Sequence, residues 1–403
     1  MIYTTGIIAE YNPFHNGHLH HLTATKKIIG QPVIAVMSGS FMQRGEPACL
    51  NKWLRAKLAV QSGVDLVLEL PVNFSLCSAQ YFAGGAVQLL QATGCVSHLS
   101  CGVESPEQNF TDLAKKITAP ATQELLRQKL SEGHSYAAAC AEVLQQDLDK
   151  PNDILALEYA KALLATDIKP LFIKRIDKGY NSTEFNGNLA SATAIRQALA
   201  MQEQQNSWQQ AVPKTTLQAL LQSSVGCDEN LLWQLICYRL RLLSPAEIAA
   251  RCQCSEGLEN LLKQAASCHS LSEALQLCTK KRYSTSRIRR LFMQLLLDSP
   301  RAAFEQAAPA YLRVLAFNDT GRQLLKQMKV TATLPIITKL NKNYSAYAAQ
   351  SHADTQAQIA AQNLLLQIQA EIKASDIWSM LQKEQALNRP GNDFLLSPSY
   401  VDG

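Results

Sequence analysis

The chain has 403 residues, 47% apolar and 18% charged, with a formal charge of +5. That length holds two or three domains with real cores, and the balance is globular rather than disordered. A mildly basic total permits an anionic partner without requiring one; no apolar run approaches the ~18 residues of a membrane span, and the first residues carry no basic flank or cleavage site.

Residues 1–9 are apolar with threonines and read as a buried strand. Asn12-Pro13 breaks it, Gly17 allows a tight turn, and residues 18–29 read as a helix. His15 and His18 thus stand at a strand-to-helix turn, where unpaired N–H groups favour a phosphate. Imidazole donors there can stabilise the charge of an in-line transfer at phosphorus. His15-Asn16-Gly17-His18 resembles the H-x-G-H signature of the nucleotidyltransferase superfamily, which implies activation of a substrate by attack on the α-phosphate of ATP. The bland alternative is two solvated residues at a helix start.

Further strands are expected at 32–37, 65–70, 96–101 (ended by Gly102) and 170–176, with helices at 51–63, 78–92, several between 105 and 165, and 191–201. Alternation of this kind implies crossovers and a parallel sheet with ligands at the carboxyl ends of its strands. The unusual polar clusters fall at those ends: His15 and His18, the loop 38–44, Gly102 and Arg175. In the loop Gly39-Ser40-Phe41-Met42-Gln43-Arg44-Gly45, Ser40, Gln43 and Arg44 are candidates for an anionic substrate, or a surface turn. Lys52 and Arg55, one helical turn apart, face the same site or solvent. Asn152 at a helix start either caps the helix or reads an adenine edge. Ser191-Ala192-Thr193-Ala194-Ile195-Arg196 places two hydroxyls and an arginine where they clamp phosphates, or merely cap a helix.

Residues 202–207 are polar and glutamine-rich, a linker. From 208 to 297 the pattern is helical and leucine-rich, and Lys280-Lys281-Arg282-Tyr283-Ser284-Thr285-Ser286-Arg287-Ile288-Arg289-Arg290 is the densest basic cluster of the chain. Residues 311–317, 321–328 and 334–338 read as strand, helix, strand, and a helical tail runs to about 387. The 11 cysteines lack framework spacing and read as reduced thiols of a cytoplasmic protein. Cys252 and Cys254 stand one residue too close for the usual zinc spacing, so no metal ligand set is expected.

With these motifs placed, the chain resembles the bacterial tRNA(Met) cytidine acetate ligases: Tyr11-Asn12-Pro13-Phe14-His15-Asn16-Gly17-His18, Met37 to Gly45, Ser191 to Arg196, Lys281-Arg282-Tyr283 and Ser286 to Arg290 carry the likeness. It implies an α/β fold, a Rossmann-like nucleotidyltransferase domain with a parallel sheet at 1–202. A helical region with the basic cluster would follow at 208–300, then a small α/β element and tail at 301–403. It implies that acetate attacks ATP to give acetyl-adenylate and pyrophosphate, and that the wobble cytidine amine of elongator tRNA(Met) takes the acetyl group. The implied ATP contacts are Ile7, Ile8, Ala9, Glu10, Tyr11, Asn12, Pro13, Phe14, His15, Asn16, Gly17, His18, Leu19 and His20, with Gly102, Asn152 and Arg175. Ser191, Thr193 and Arg196 would hold the outer phosphates, and Mg²⁺ would be held mainly by ATP and water. Lys280, Lys281, Arg282, Tyr283, Arg287, Arg289 and Arg290 would attract the anticodon loop of the tRNA. The residues alone also admit a small-molecule adenylyltransferase making a nucleotide cofactor, or an RNA-binding adaptor without activity.

Overall fold

Val33-Ile34-Ala35-Val36-Met37 is apolar on both sides because helices cover both faces of the strand it forms. The computed structural model describes residues 1–148, 150–176, 188–201, 207–223, 225–255, 257–305, 308–341, 344, 355–384 and 388–402. The expected linker, apart from Ser207, and the end of the tail at 385–387 lie outside the described residues.

The chain begins β1 (Thr4–Ala9), α1 (Asn16–Ile29), β2 (Val33–Ser38), α2 (Lys52–Gln61), β3 (Leu66–Leu70), α3 (Val72–Ser75), α4 (Ala79–Ala92), β4 (Val96–Val103). It continues α5 (Phe110–Thr118), α6 (Pro120–Ser131), α7 (Tyr136–Leu144), α8 (Pro151–Leu163), β5 (Lys169–Lys174), α9 (Ala192–Met201). Next come α10 (Lys214–Gln222), α11 (Glu229–Leu242), α12 (Pro245–Ala249), α13 (Leu258–Gln264), α14 (Leu271–Cys278), α15 (Thr285–Leu297), α16 (Ala302–Glu305). The last elements are β6 (Leu312–Phe317), α17 (Asp319–Thr331), β7 (Ile336–Ile337), α18 (Thr355–Met380), α19 (Asn392–Leu395), β8 (Ser399–Tyr400).

The sheet runs β5-β4-β1-β2-β3-β6-β7, with β8 also on β6. Its first five strands are parallel, as expected. β6 pairs antiparallel with β3, so a strand of the carboxy-terminal segment completes the amino-terminal sheet. Strand alternation sorts the core. Val33, Ala35 and Met37 pack with Leu22 of α1 and Trp53 and Ala56 of α2. Ile34 and Val36 pack with Phe82 and Leu90 of α4 on the opposite face. A separate core joins α11 to α15 with α3 and α18.

The order reverses at β1: the chain builds outward through β2 and β3, then returns to lay β4 on the other side of β1. Such a switch point opens a crevice at the carboxyl ends of β1 and β4. Gly102 lies inside β4, opposite Ile173, rather than ending it, because β5 extends the ladder through Val103.

Candidate active site at the switch point

At the end of β1, His15 is the N-cap of α1. Its Nδ1 accepts the backbone N–H of Gly17 at 3.0 Å, while Nδ1 of His18 accepts the backbone N–H of His15 at 3.3 Å. This is a reciprocal capping box built from imidazoles in place of the usual hydroxyl and carboxylate. With each Nδ1 accepting, the neutral tautomer carries its proton on Nε2, so each ring is a donor away from the helix. The rings stack at 3.8 Å, and Tyr11 meets His18 edge-on at 5.0 Å. Gly17 is required: a Cβ there would stand 2.8 Å from His15 Cε1 and displace the ring. Burial first, then the charges of His15, Arg175 and His21, holds His18 well below the usual imidazole range. Both features suit a donor that stays neutral at pH 7.

These groups open on a cavity of about 700 Å³. Its rim collects helix starts: His15, Gly17 and His18 of α1, Ser78 to Gln80 of α4, Ser135 to Ala137 of α7, Pro151 and Asn152 of α8, Ser191 and Ala192 of α9, Ser284 and Ser286 of α15. Only α8 carries an acid in its first turn, and Asp153 is turned away to accept the N–H groups of Glu104 and Ser105. Arg44, Lys174, Arg175, Arg196 and Arg290 also line the cavity, against one carboxylate among the described residues, Glu10. Aligned helix dipoles and excess cations in a concave site favour a polyanion. Ile154, Leu155, Ile173 and Ile176 add an apolar wall near Asn152, as a nucleobase requires.

Most of the expected residues meet here: Ile7 to Asn12, His15, Gly17, His18, His20, Gly102, Asn152, Arg175, Ser191, Arg196, Gln43 and Arg44 all line the cavity. Asn152 Nδ2 donates to Glu104 Oε1 at 2.9 Å, which orients its amide. Arg196 donates to the carbonyl of Asn12 at 2.8 Å and to Glu46 at 2.9 Å, so it also ties α9 to the histidine turn. Ser191 Oγ accepts the N–H of Ala194 at 3.1 Å, so capping and site are one geometry.

Other expectations are not met. Lys52 does not face the cavity: its ammonium is 1% exposed and lies 2.7 Å from Glu69, 2.9 Å from Asp393 and 3.5 Å from Glu371. Arg55 is likewise buried, donating to the carbonyls of Glu10, Ser38, Gly39 and Leu50. Ser40 is buried outside the cavity, its carbonyl accepting the N–H of Ala48. Pro13, Phe14, Asn16, Leu19 and Thr193 are not in the lining; Asn16 instead donates to the carbonyls of Asn188 and Gln210.

The basic cluster is adjacent to the cavity. Gly45 has φ +75°, and a Cβ there would stand 2.4 Å from Arg290 N, so the loop lies directly on α15. Arg290 donates to the carbonyl of Gln43 at 3.1 Å and reaches the cavity. Burial pulls its pKa to about 10, which keeps it a cation. Arg287 lies over Tyr283 at 5.0 Å and donates to Ser255, while Arg282 donates to the carbonyl of Leu130. Lys280 and Lys281 are exposed, and of the cluster only Arg290 is in the lining with Ser284 and Ser286. The sequence reading missed His21, Ser78, Tyr136 and Ser284 as lining residues. Serines immediately before apolar helical runs were the available signal for two of them. Cys252 and Cys254 are buried, with their sulfurs 3.1 Å apart.

A family model described as HIGH Nucleotidyl Transferase matches residues 2–392. The chain is 37% identical over 433 residues to the tRNA(Met) cytidine acetate ligase of Alkaliphilus metalliredigens, covering 98% of each chain. It is 37% identical over 413 residues to that of Leuconostoc mesenteroides, again covering 98% of each. The crystal structure of apo Thermotoga maritima TmcAL superposes with a TM-score of 0.90 at 31% identity, and the form bound with alpha-thio ATP with 0.88 at 31%, each over 100% of both chains. With a family model spanning nearly its whole length and relatives of this identity covering it end to end, the chain belongs to the HIGH nucleotidyl transferases and, among them, to the tRNA(Met) cytidine acetate ligases.

Proposed function

We propose that the switch-point cavity binds ATP with its α-phosphate at His15 and His18, activates acetate as acetyl-adenylate, and passes the acetyl group to the wobble cytidine amine of elongator tRNA(Met). The observation that carries this is the paired capping of the two rings, Gly17 N–H on one and His15 N–H on the other, which turns two Nε2–H donors outward. Those donors stabilise the equatorial oxygens as negative charge builds in an in-line displacement. Acetate is already ionised at pH 7, so no protein nucleophile is needed and catalysis is positioning plus charge stabilisation. Arg175, Ser191 and Arg196 line the cavity where the outer phosphates extend, and the amide of Asn152 presents a purine edge with an apolar wall beside it. A magnesium ion enters with the triphosphate as part of the substrate.

The α15 face is proposed as the tRNA approach. Arg290 reaches the cavity, Lys280 and Lys281 are exposed, and the half-buried Arg287 and Arg289 stand on the same helix as Arg290 but outside the lining, so phosphates attracted to the cluster lead a splayed loop base towards the adenylate. The work divides between a catalytic unit in 1–202 and a tRNA-facing helical unit in 208–300. The names of the relatives favour this reading over an enzyme of nucleotide-cofactor synthesis. The test is incubation with ATP and labelled acetate, with and without bacterial tRNA. Label in tRNA as acetylcytidine is expected; ATP consumption with label in no RNA sinks the proposal.

A further inference from the structure

We infer that Glu10 is the general base of the transfer half-reaction, taking the proton from the cytidine exocyclic amine as its nitrogen attacks the acetyl carbonyl. This rests on the function proposed above. Glu10 follows β1 directly and is the sole carboxylate lining the cavity among the described residues. It stands between the histidine turn and the loop that lies on α15. Its Oε1 accepts the N–H of Gln43 at 2.6 Å, and its carbonyl accepts from Arg55 at 2.6 Å. Gln43 is itself fixed: its carbonyl accepts from Arg290, and its amide donates to the carbonyl of Cys77 at 3.3 Å. One carboxylate oxygen is therefore held by the loop that lies on α15, and Glu10 lines the same cavity as the two imidazoles, which leaves Oε2 as the oxygen assigned to the proton.

Among the described lining residues Glu10 is the one carboxylate and is fixed by the loop on α15, while Nδ1 of His15 and of His18 are already taken by backbone N–H groups. His18 and His21 are held low by burial first and then by neighbouring charges, His21 at about 4, so they are weak bases better used as donors. Lys174 and the arginines are cations. The charged groups around Glu10 are Arg196 of α9, Arg44 and Glu46 of the loop and Arg55 of α2, with the phenol of Tyr159 on α8 nearby. Burial outweighs the Gln43 hydrogen bond and the arginines and raises its carboxyl above the usual range, which makes its carboxylate a stronger base.

In the step, the amine lone pair forms the N–C bond at the acetyl carbonyl and one N–H proton passes to Oε2 of Glu10. The C–O bond to the adenylate phosphate breaks, and AMP leaves with that electron pair. Glu10 then returns its proton to water. No redox partner is involved.

Glu10→Gln keeps an acceptor for the Gln43 N–H but cannot accept a proton. Two rates are read on one preparation: acetate-dependent ATP–pyrophosphate exchange, and single-turnover transfer of acetyl from enzyme-formed adenylate to tRNA. Transfer is expected to fall by ~10²–10⁴-fold, and by at least about tenfold more than exchange falls. The unmodified protein should lose transfer rate as pH falls through the Glu10 carboxyl range, and that limb should vanish in Glu10→Gln. Glu10→Asp should recover part of the rate and restore the limb. Equal losses in exchange and transfer would place Glu10 in nucleotide binding and overturn the inference. Normal transfer by Glu10→Gln would overturn it too, leaving the phosphate of AMP as proton acceptor. If the unmodified protein shows no acetate-dependent exchange, the proposed function fails rather than this step.

Discussion

Two concentrations of charge sit on one sheet and follow opposite plans. Around Lys52, side chains from α2, β3, β6, α18 and α19 bring together Lys52, Glu69, Arg313, Glu371 and Asp393, all buried. Burial draws the Lys52 pKa down, but the three carboxylates more than offset it and hold the ammonium charged. Burial and the neighbouring Glu69 push the Glu371 carboxyl well above its usual range. Two cations and three carboxylates thus face one another inside the chain, away from the switch-point cavity. At the carboxyl ends of the strands the balance is reversed: among the described residues five cations and several helix starts converge, with Glu10 as the sole acid in the lining. Charge answered within the chain fixes structure, and charge in surplus in a cavity is available for a substrate.

Replacing both His15 and His18 by alanine tests the surplus side most severely. Removing one preorganised donor from a charge-stabilising site costs ~10²–10³ in rate, so the pair should lose about 10⁴ in acetate-dependent pyrophosphate exchange. The circular dichroism of the double variant should stay close to native. A double variant that exchanges pyrophosphate at normal speed would remove the imidazoles from the chemistry.

The matched side should respond in stability. Lys52→Met removes one partner from a buried network and leaves carboxylates uncompensated, a loss of about 3–5 kcal/mol. The urea midpoint reads it, and the KM for ATP of the folded fraction should hold. An unchanged midpoint with a raised KM would mean that Lys52 serves the ligand after all, as its sequence position had suggested.

That reversal marks where sequence reasoning reached its limit. The strand-to-helix turn with His15 and His18, the helix start with Ser191 and Arg196, and the parallel sense of β1 to β5 were legible because local spacing encodes them. The fate of Lys52 was not, since Glu371 and Asp393 lie more than 300 positions along the chain. A lysine on an amphipathic helix looks the same whether solvent or three distant acids face it. The same distance hid the joining of β6 to β3, which makes residues 312–317 part of the catalytic sheet. Helix starts such as Ser78 and Ser135 carry no local mark of a site, because only the tertiary fold turns them to one cavity.

A smaller effect is expected at the boundary of the surplus region. Arg287→Ala with Arg289→Ala removes two cations of α15 that do not line the cavity and spares Arg290, which is tied to Gln43 and belongs to the cavity. If each contacts one phosphate of a single-stranded loop, the log–log salt slope of tRNA binding should flatten by ~1.4. ATP affinity should be unaffected. A parallel loss of ATP binding would merge the two regions that the proposal separates.

The smallest expected effect concerns protons. Where Lys52 is held charged by acids, His21 is held neutral by its surroundings. Its Nε2 pairs with Ser100 Oγ at 2.9 Å, which pairs with Thr25 Oγ1 at 2.7 Å. Burial, then Arg175 and His20, lowers its pKa to about 4. In the unfolded chain an ordinary imidazole protonates near 6.5. Between these values the unfolded state binds a proton that the folded state refuses, so this contribution to stability is complete above about pH 6.5 and is lost as pH falls towards 4. His21→Gln, whose amide reaches the Nε2 position, keeps a polar partner for Ser100 and removes the titration. Its urea midpoint should decline less steeply than that of the unmodified protein between pH 6.5 and 4. The remaining slope belongs in part to His18, lowered in the same direction, and identical slopes would show that His21 protonates in the folded state at no cost.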